Sequence, residues 1–301
     1  MHNSRAYYEK GILKNWQSGM LTQSQSSQIE FYAKINHVKT FTNILKAISF
    51  SEAACIQIGV HGMKIIVEET RTVQAAAYFK ETDAIFAEYR YKKTDSDTVT
   101  SFGINLKVIV ENLNMFSDLV SEHTELKILY RGDGSPLILV IECELEHLTK
   151  ECSIKTRELG SYLDLDIEDE NTVAQILFHG LCFYNFLHDA YKAVPGADDI
   201  EFQVAKDSFT IVARGAVDTL AEYFLDKNSD VIMQFGCLKE LKVRYRSSNL
   251  KLLLKTMQMS KEITLSFDKT GLLGVRMMVE DENQVQSYIE YFVFPLDDKE
   301  L

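Results

Sequence analysis

Ile104-Asn105-Leu106-Lys107-Val108-Ile109-Val110 returns, about 145 residues further along the chain, as Ser248-Asn249-Leu250-Lys251-Leu252-Leu253-Leu254. Both stretches put apolar residues at helical spacing directly after a strand-like run. Two more pairs fall at nearly the same offset. Ile56-Gln57-Ile58 matches Phe202-Gln203-Val204, and the helical positions Val38, Phe41 and Ile44 match Leu181, Tyr184 and Leu187. A repeat of this length is far beyond the 20–50 residues of a solenoid unit. It is the size of a whole domain, so the chain reads as an internally duplicated α+β protein.

Outward from the repeat, strands alternate with turn residues. In the first half strands are expected at 29–36, 56–60, 63–68, 72–80, 85–91, 99–104, 125–131, 136–142 and 147–155. His61-Gly62 and Gly132-Asp133-Gly134 supply turns between them. Helices are expected over 38–49 and 105–117, the second with the apolar face Leu106, Ile109, Val110, Leu113 and Phe116. The second half gives strands at 173–179, 200–205, 209–213, 241–246, 262–267, 274–280 and 287–294. Its helices fall at 180–192, with Leu181, Tyr184, Leu187 and Tyr191 at helical spacing, and at 248–258. The domain plan is 29–155, an acidic connector 156–171 (Glu158, Asp164, Asp166, Glu168, Asp169, Glu170), and 172–301.

Residues 1–28 stand apart. Leu21 to Gln28 is a polar low-complexity tract that reads as a flexible linker. Tyr8, Ile12, Leu13 and Trp16 before it suit either a disordered tail or a short amphipathic docking helix.

Composition narrows the function. Hydrophobic residues make up 46% and charged residues 25%, as in folded soluble domains. No apolar run approaches the roughly 18 residues of a membrane span, and the N-terminus lacks a secretory core, so no membrane partner is expected. The five cysteines are odd in number and scattered without a Cys-x-x-Cys pair, which implies reduced thiols with neither zinc nor disulfides. A net charge of −12 argues against nucleic-acid binding unless positive charge is segregated.

It is segregated. The helices at 38–49 and 248–258 carry Lys39 with Lys46 and Lys251 with Lys255, and no acid. The other two are balanced, Lys107 against Glu111 and Lys192 against Asp189 with His188 alongside. Helices facing phosphates would have this polarity; ordinary solvated lysines are the plainer alternative. No Arg/Asn/Gln set for base readout is present, so any contact would be with the backbone and sequence-independent.

The stretches Ile44-Leu45-Lys46-Ala47-Ile48, Phe50, Glu52, Gly62-Met63-Lys64, Val67-Glu68 and Val73-Gln74-Ala75 carry a resemblance. With Ile104-Asn105-Leu106, Pro136-Leu137, Ile289-Glu290-Tyr291 and Pro295, they resemble the Rad-one subunit family of the nine-one-one checkpoint clamp, over about residues 29–296. The resemblance implies a PCNA-like clamp fold, three two-domain subunits closing a ring with helices lining the hole. It implies Rad-nine and Hus-one type paralogues as partners, a clamp loader, double-stranded DNA through the ring, and a nuclear location. Lys39, Lys46, Lys107, His188, Lys192, Lys251 and Lys255 would then face DNA. Subunits would join edge to edge through His147, Thr149, Glu151, Ser153 and Lys155 on one side and Gly215, Val217, Thr219, Ala221 and Tyr223 on the other. Tyr162, Leu163 and Leu165 would either line a peptide pocket under the connector or pin the connector down.

Enzyme signatures are weak. Asp164-x-Asp166-x-Glu168 is the one cluster that would suit a metal-dependent 3'-5' exonuclease, and it lacks a neighbouring base. The histidines lack metal-ligand spacing, and no phosphate-binding Gly-rich loop occurs. A non-catalytic clamp subunit without cofactor, metal or small-molecule substrate is the leading expectation, with the exonuclease as the alternative.

Overall fold

The computed structural model describes residues 29–93, 98–114, 124–145, 147–160, 162–163, 165–215 and 219–296. The expected tail 1–28, Phe116, His123, Asp164 and Val217 lie outside the described residues. The first half runs β1 (Phe31–Ile35), α1 (Val38–Ile48), β2 (Ala53–Gly59), β3 (Gly62–Glu69), β4 (Val73–Lys80), β5 (Phe86–Tyr91) and β6 (Thr100–Asn105). It continues with α2 (Leu106–Asn114), β7 (Thr124–Tyr130), β8 (Leu137–Cys143) and β9 (Leu148–Ile154). The second half repeats that order as β10 (Thr172–His179), α3 (Gly180–Ala193), β11 (Asp199–Val204), β12 (Ser208–Arg214), β13 (Leu220–Asp226), β14 (Ile232–Cys237) and β15 (Leu241–Arg246). It closes with α4 (Ser247–Gln258), β16 (Ser260–Asp268), β17 (Leu273–Glu280) and β18 (Gln286–Val293).

Every named strand pair is antiparallel. The sheets are β5-β1-β7-β8-β9, β13-β12-β11-β15, and a nine-stranded sheet β14-β10-β16-β17-β18-β4-β3-β2-β6. The nine-stranded sheet is continuous only because β18 of the second half pairs with β4 of the first, from Tyr288↔Tyr78 to Val293↔Val73.

Local sequence accounts for the elements. In β8, Leu137, Leu139, Ile141 and Cys143 are buried while the residues between them are half-buried, the period of two that a sheet face demands. In α1, Phe41, Ile44, Leu45 and Ile48 are buried at helical spacing. Each such side chain contributes about 1.5–3 kcal/mol of transfer free energy. The β2–β3 turn needs Gly62, whose φ is +140° and whose Cβ would lie 2.2 Å from the Phe79 carbonyl oxygen.

Two expectations are corrected, and one strand is unforeseen. The inward face of α3 is Phe183, Leu187 and Ala190, and Leu181 is 58% exposed. The helix start is pressed onto β16, where a Cβ on Gly180 would meet the Ser260 carbonyl at 2.0 Å; this orientation turns Leu181 outward. The strand expected from Gly215 begins only at Leu220, after the hydrogen bond that the Gly215 amide donates to Thr219 O (2.9 Å). β14 is a strand that the sequence pattern does not announce. Its Ile232-Met233-Gln234-Phe235-Gly236-Cys237 has no continuous apolar alternation, and its residues are only half-buried or exposed at a sheet edge.

Candidate functional site

Two of the free sheet edges are related by the duplication. β18 corresponds to β9, and β4 corresponds to β13, since each pair holds the same place in its half. β18 and β4 are paired within the chain, but β9 and β13 each end a sheet. On β9, Thr149, Glu151 and Ser153 are exposed on one face, while Leu148, Lys150 and Cys152 share the other, where Leu148 is also exposed; His147, at the strand's start, has φ +49°. On β13, Leu220, Glu222, Phe224 and Asp226 point out, and Ala221 and Tyr223 point toward the core. Phe224 is 64% exposed and Leu220 56%. A row of unsatisfied backbone groups beside exposed apolar side chains is a template for strand addition. Of the expected interface residues, Thr149, Glu151, Ser153, Ala221 and Tyr223 lie in the two edge strands; His147, Lys155, Gly215 and Thr219 flank them.

The helices succeed one another in space as α2, α1, α4, α3, through the contacts α1–α2, α1–α4 and α3–α4. Their polar faces carry the expected cations, mostly already engaged. Lys39 reaches Glu282 (3.4 Å), Lys107 reaches Glu52 (3.3 Å) and Lys192 reaches Asp189 (3.8 Å). These are exposed pairs that cost little to break. Lys251 lies over the Tyr191 ring at 5.2 Å, and His188 stacks on Tyr184 with centroids 5.2 Å apart. Lys255 is different. Its ammonium donates to the Lys46 carbonyl at 2.8 Å, at the C-terminal turn of α1. Burial, and then the Lys46 charge, hold its pKa below the usual lysine range. Lys255 thus ties the second half to the last turn of α1, where a cation complements the helix dipole.

The two halves are joined on the same side by a second polar contact. Asp281, in the β17–β18 turn, accepts from Thr40 Oγ1 at 2.6 Å and lies 3.4 Å from His37 Nδ1 at the start of α1. Burial pushes this carboxyl up. Hydrogen bonds from Thr40 and from the Val285 and Asn283 amides, with the His37 charge, outweigh that and hold it below the usual range. Beneath both contacts, Tyr291 is fully buried, with its hydroxyl 2.7 Å from Thr256 Oγ1 on α4 and 3.3 Å from the Ala47 carbonyl on α1.

The connector crosses the opposite face of the nine-stranded sheet. It starts beside β6, where Gly103 and Arg157 exchange two backbone hydrogen bonds (2.9 and 2.8 Å). Tyr162 then packs on Cys55, Ile66 and Ala76, and Gln74 Nε2 donates to the Leu163 carbonyl (2.8 Å). Ile167 finally rests close to Gly274 of β17. Tyr162 therefore pins the connector. Leu165 and Asp166 instead border an open groove of about 830 Å³ that includes Val60, Met63, Tyr78 and Tyr288. Sequence reasoning missed Gln74, Cys55 and Ala76 as the seat of the connector, because nothing in their spacing marks one face of β4 as covered by a distant segment. Among the described residues, no three His, Cys, Asp or Glu side chains gather around a possible ion position, and no helix is long and apolar enough to cross a membrane.

Residues 30–279 match the model of the family described as Repair protein Rad1/Rec1/Rad17. The chain is 29% identical over 279 residues to a cell cycle checkpoint protein RAD1 of Homo sapiens, covering 91% of this chain and 94% of the relative. It is 25% identical over 271 residues to a DNA repair protein Rad1 of Drosophila melanogaster, covering 89% and 94%. It is 21% identical over 284 residues to a DNA damage checkpoint control protein rad1 of Schizosaccharomyces pombe, covering 89% and 87%.

Proposed function

Because the chain belongs to the Rad1 family of repair and checkpoint proteins, we propose that it is a non-catalytic subunit of a heterotrimeric clamp that encircles double-stranded DNA in the nucleus. The observation that carries this reading is the seam between β4 and β18. One copy of that seam is closed inside the chain, and its duplicate is left as two open edges, β9 and β13. A chain with one open edge of each kind closes a ring by head-to-tail strand pairing, which removes every exposed edge of that kind. Three such two-domain subunits would make a ring of six domains, with Rad-nine and Hus-one type paralogues as the other two and a clamp loader to open it.

The row α2-α1-α4-α3 lies on one side of the sheets and would line the hole. Lys39, Lys46, Lys107, Lys192 and Lys251 would meet phosphates there, with Lys39, Lys107 and Lys192 exchanging weak surface ion pairs for contacts with the DNA backbone. Such contacts carry no base information, which suits a clamp loaded at damaged or recessed ends whatever their sequence. The groove beside Leu165, on the outer face, would receive peptides of repair and signalling partners. The checkpoint names of the relatives favour this reading over the exonuclease alternative.

Light scattering tests the assembly. This chain co-expressed with its two paralogues should elute as one species with the mass of three different chains. Separate elution of all three would refute the reading.

A further inference from the structure

The internal seam also fixes how an external one would be registered, and that register bears on which strands can fill it. On one side, the β2–β3 and β11–β12 hairpins superimpose, with Gly62 opposite Lys80 and Ser208 opposite Asp226. Counting back from those pairs, Tyr78 and Ala76 of β4 correspond to Phe224 and Glu222 of β13. On the other side, the row Ala33↔Ile128↔Leu139↔Cys152 is matched by Ile176↔Leu265↔Val275↔Tyr291. Glu151 of β9 therefore corresponds to Glu290 of β18.

In the closed seam, Glu290 lies opposite Ala76. It accepts from the Tyr78 hydroxyl (3.3 Å) and from Arg276 Nη2 (3.2 Å). Transferred to the open edges, the same register sets Glu151 directly opposite Glu222. The place of Tyr78 is taken by Phe224, which has no hydroxyl, and that of Arg276 by Val140, which lies opposite Glu151 on β8. The positions of Tyr78 and Arg276 thus carry hydrocarbon at the open edges, and the small neutral Ala76 gives way to a second carboxylate. Both glutamates are exposed, and the transferred register would put them on one face of the joined sheet. Like charges directly opposite in an antiparallel pair oppose pairing.

Resting on the clamp reading, we infer that Glu151 and Glu222 are a specificity device that keeps this chain from closing a ring on itself. Each edge accepts a different chain whose strand carries an uncharged or basic residue at that register. On β13 the partner strand also covers Leu220 and Phe224. Unlike-charge pairing or neutralisation is what the seam selects for, and repulsion against a second copy is the element that excludes self-assembly.

Charge exchange in the full chain tests this. Glu222→Lys and Glu151→Lys each make the two edges of one chain complementary, whereas the double variant E151K/E222K opposes two lysines. The wild type and the double variant should run as single chains in light scattering at micromolar concentration. Each single variant should self-associate at least about tenfold more tightly, toward three copies. A wild type that self-associates as readily as the single variants would overturn the inference, as would a double variant that associates like them. Single variants that stay monomeric would also overturn it. The clamp reading is scored separately, on the wild type mixed with its two paralogues: a three-chain species there leaves it standing even if the charge variants fail, and absence of that species removes both.

Discussion

Tyr291→Phe isolates the polar clamp at the junction of the two halves. The ring of Tyr291 is fully buried, and Phe keeps that ring and its apolar packing. What disappears is the hydroxyl between Thr256 Oγ1 at 2.7 Å and the Ala47 carbonyl at 3.3 Å. Thr256 is itself fully buried, so its hydroxyl is deprived of a partner that water cannot replace. A buried group left unsatisfied costs about 1–3 kcal/mol. For a chain of this size that should lower Tm by roughly 2–5 °C. Chemical denaturation of the wild type, Tyr291→Phe, Thr256→Val and the double variant closes the cycle. The double variant should be clearly more stable than the sum of the single losses predicts, because removing both partners leaves neither unsatisfied. A Tyr291→Phe variant within about 0.5 kcal/mol of wild type, or strict additivity in the cycle, would refute the claim that this hydroxyl holds α1 and α4 to β18.

Asp281→Ala should cost about 2–3 kcal/mol, since it removes a mostly buried carboxylate that accepts from Thr40 and from the turn amides. The folded pKa of Asp281 is lowered, so its contribution is present above the unfolded carboxylate range and is lost as pH falls through the folded value. The gap between wild type and Asp281→Ala should therefore be constant near neutrality and narrow below about pH 4; a gap that widens on acidification would contradict the assignment. Tyr162→Ala should release the connector from Cys55, Ile66 and Ala76, and faster tryptic cutting at Arg157 would report it; unchanged cutting would show that Gln74 and Ile167 hold the connector without it. Reversing Lys39, Lys46 and Lys251 to Glu should weaken retention of the assembled ring on DNA and lower the salt slope by about one for each phosphate no longer neutralised, with little change in fold. Unchanged retention would remove these lysines from the DNA path.

The duplicated order of elements was legible because both periods of the α+β pattern recur in the same sequence twice, and the four helices sit where their apolar spacing puts them. The open edge β9 could also be foreseen, from its place at the end of the first repeat. The seam that gives that edge its meaning could not. β4 reads Val73-Gln74-Ala75-Ala76-Ala77, with no alternation, because both of its faces are covered: α1 packs on one, where Phe41 meets Phe79, and Ala76 lies under Tyr162 on the other. Small residues there accommodate large partners from distant parts of the chain, and a local pattern cannot register them. The same holds for α3, where the close approach of Gly180 to Ser260 rotates the helix and exposes Leu181. Charge on the helices was legible as composition, but not as commitment. Only the fold reveals that Lys255 is spent on the Lys46 carbonyl.

Amide hydrogen exchange along β9 and β13 tests the central claim most directly, comparing this chain alone with the assembly it forms with its two paralogues. The outward amides of both strands, those not bonded to β8 or β12, should exchange rapidly in the isolated chain and become protected together in the assembly, while β4 and β18 stay protected in both. Edges that exchange equally fast in the two samples would contradict ring closure through β9 and β13.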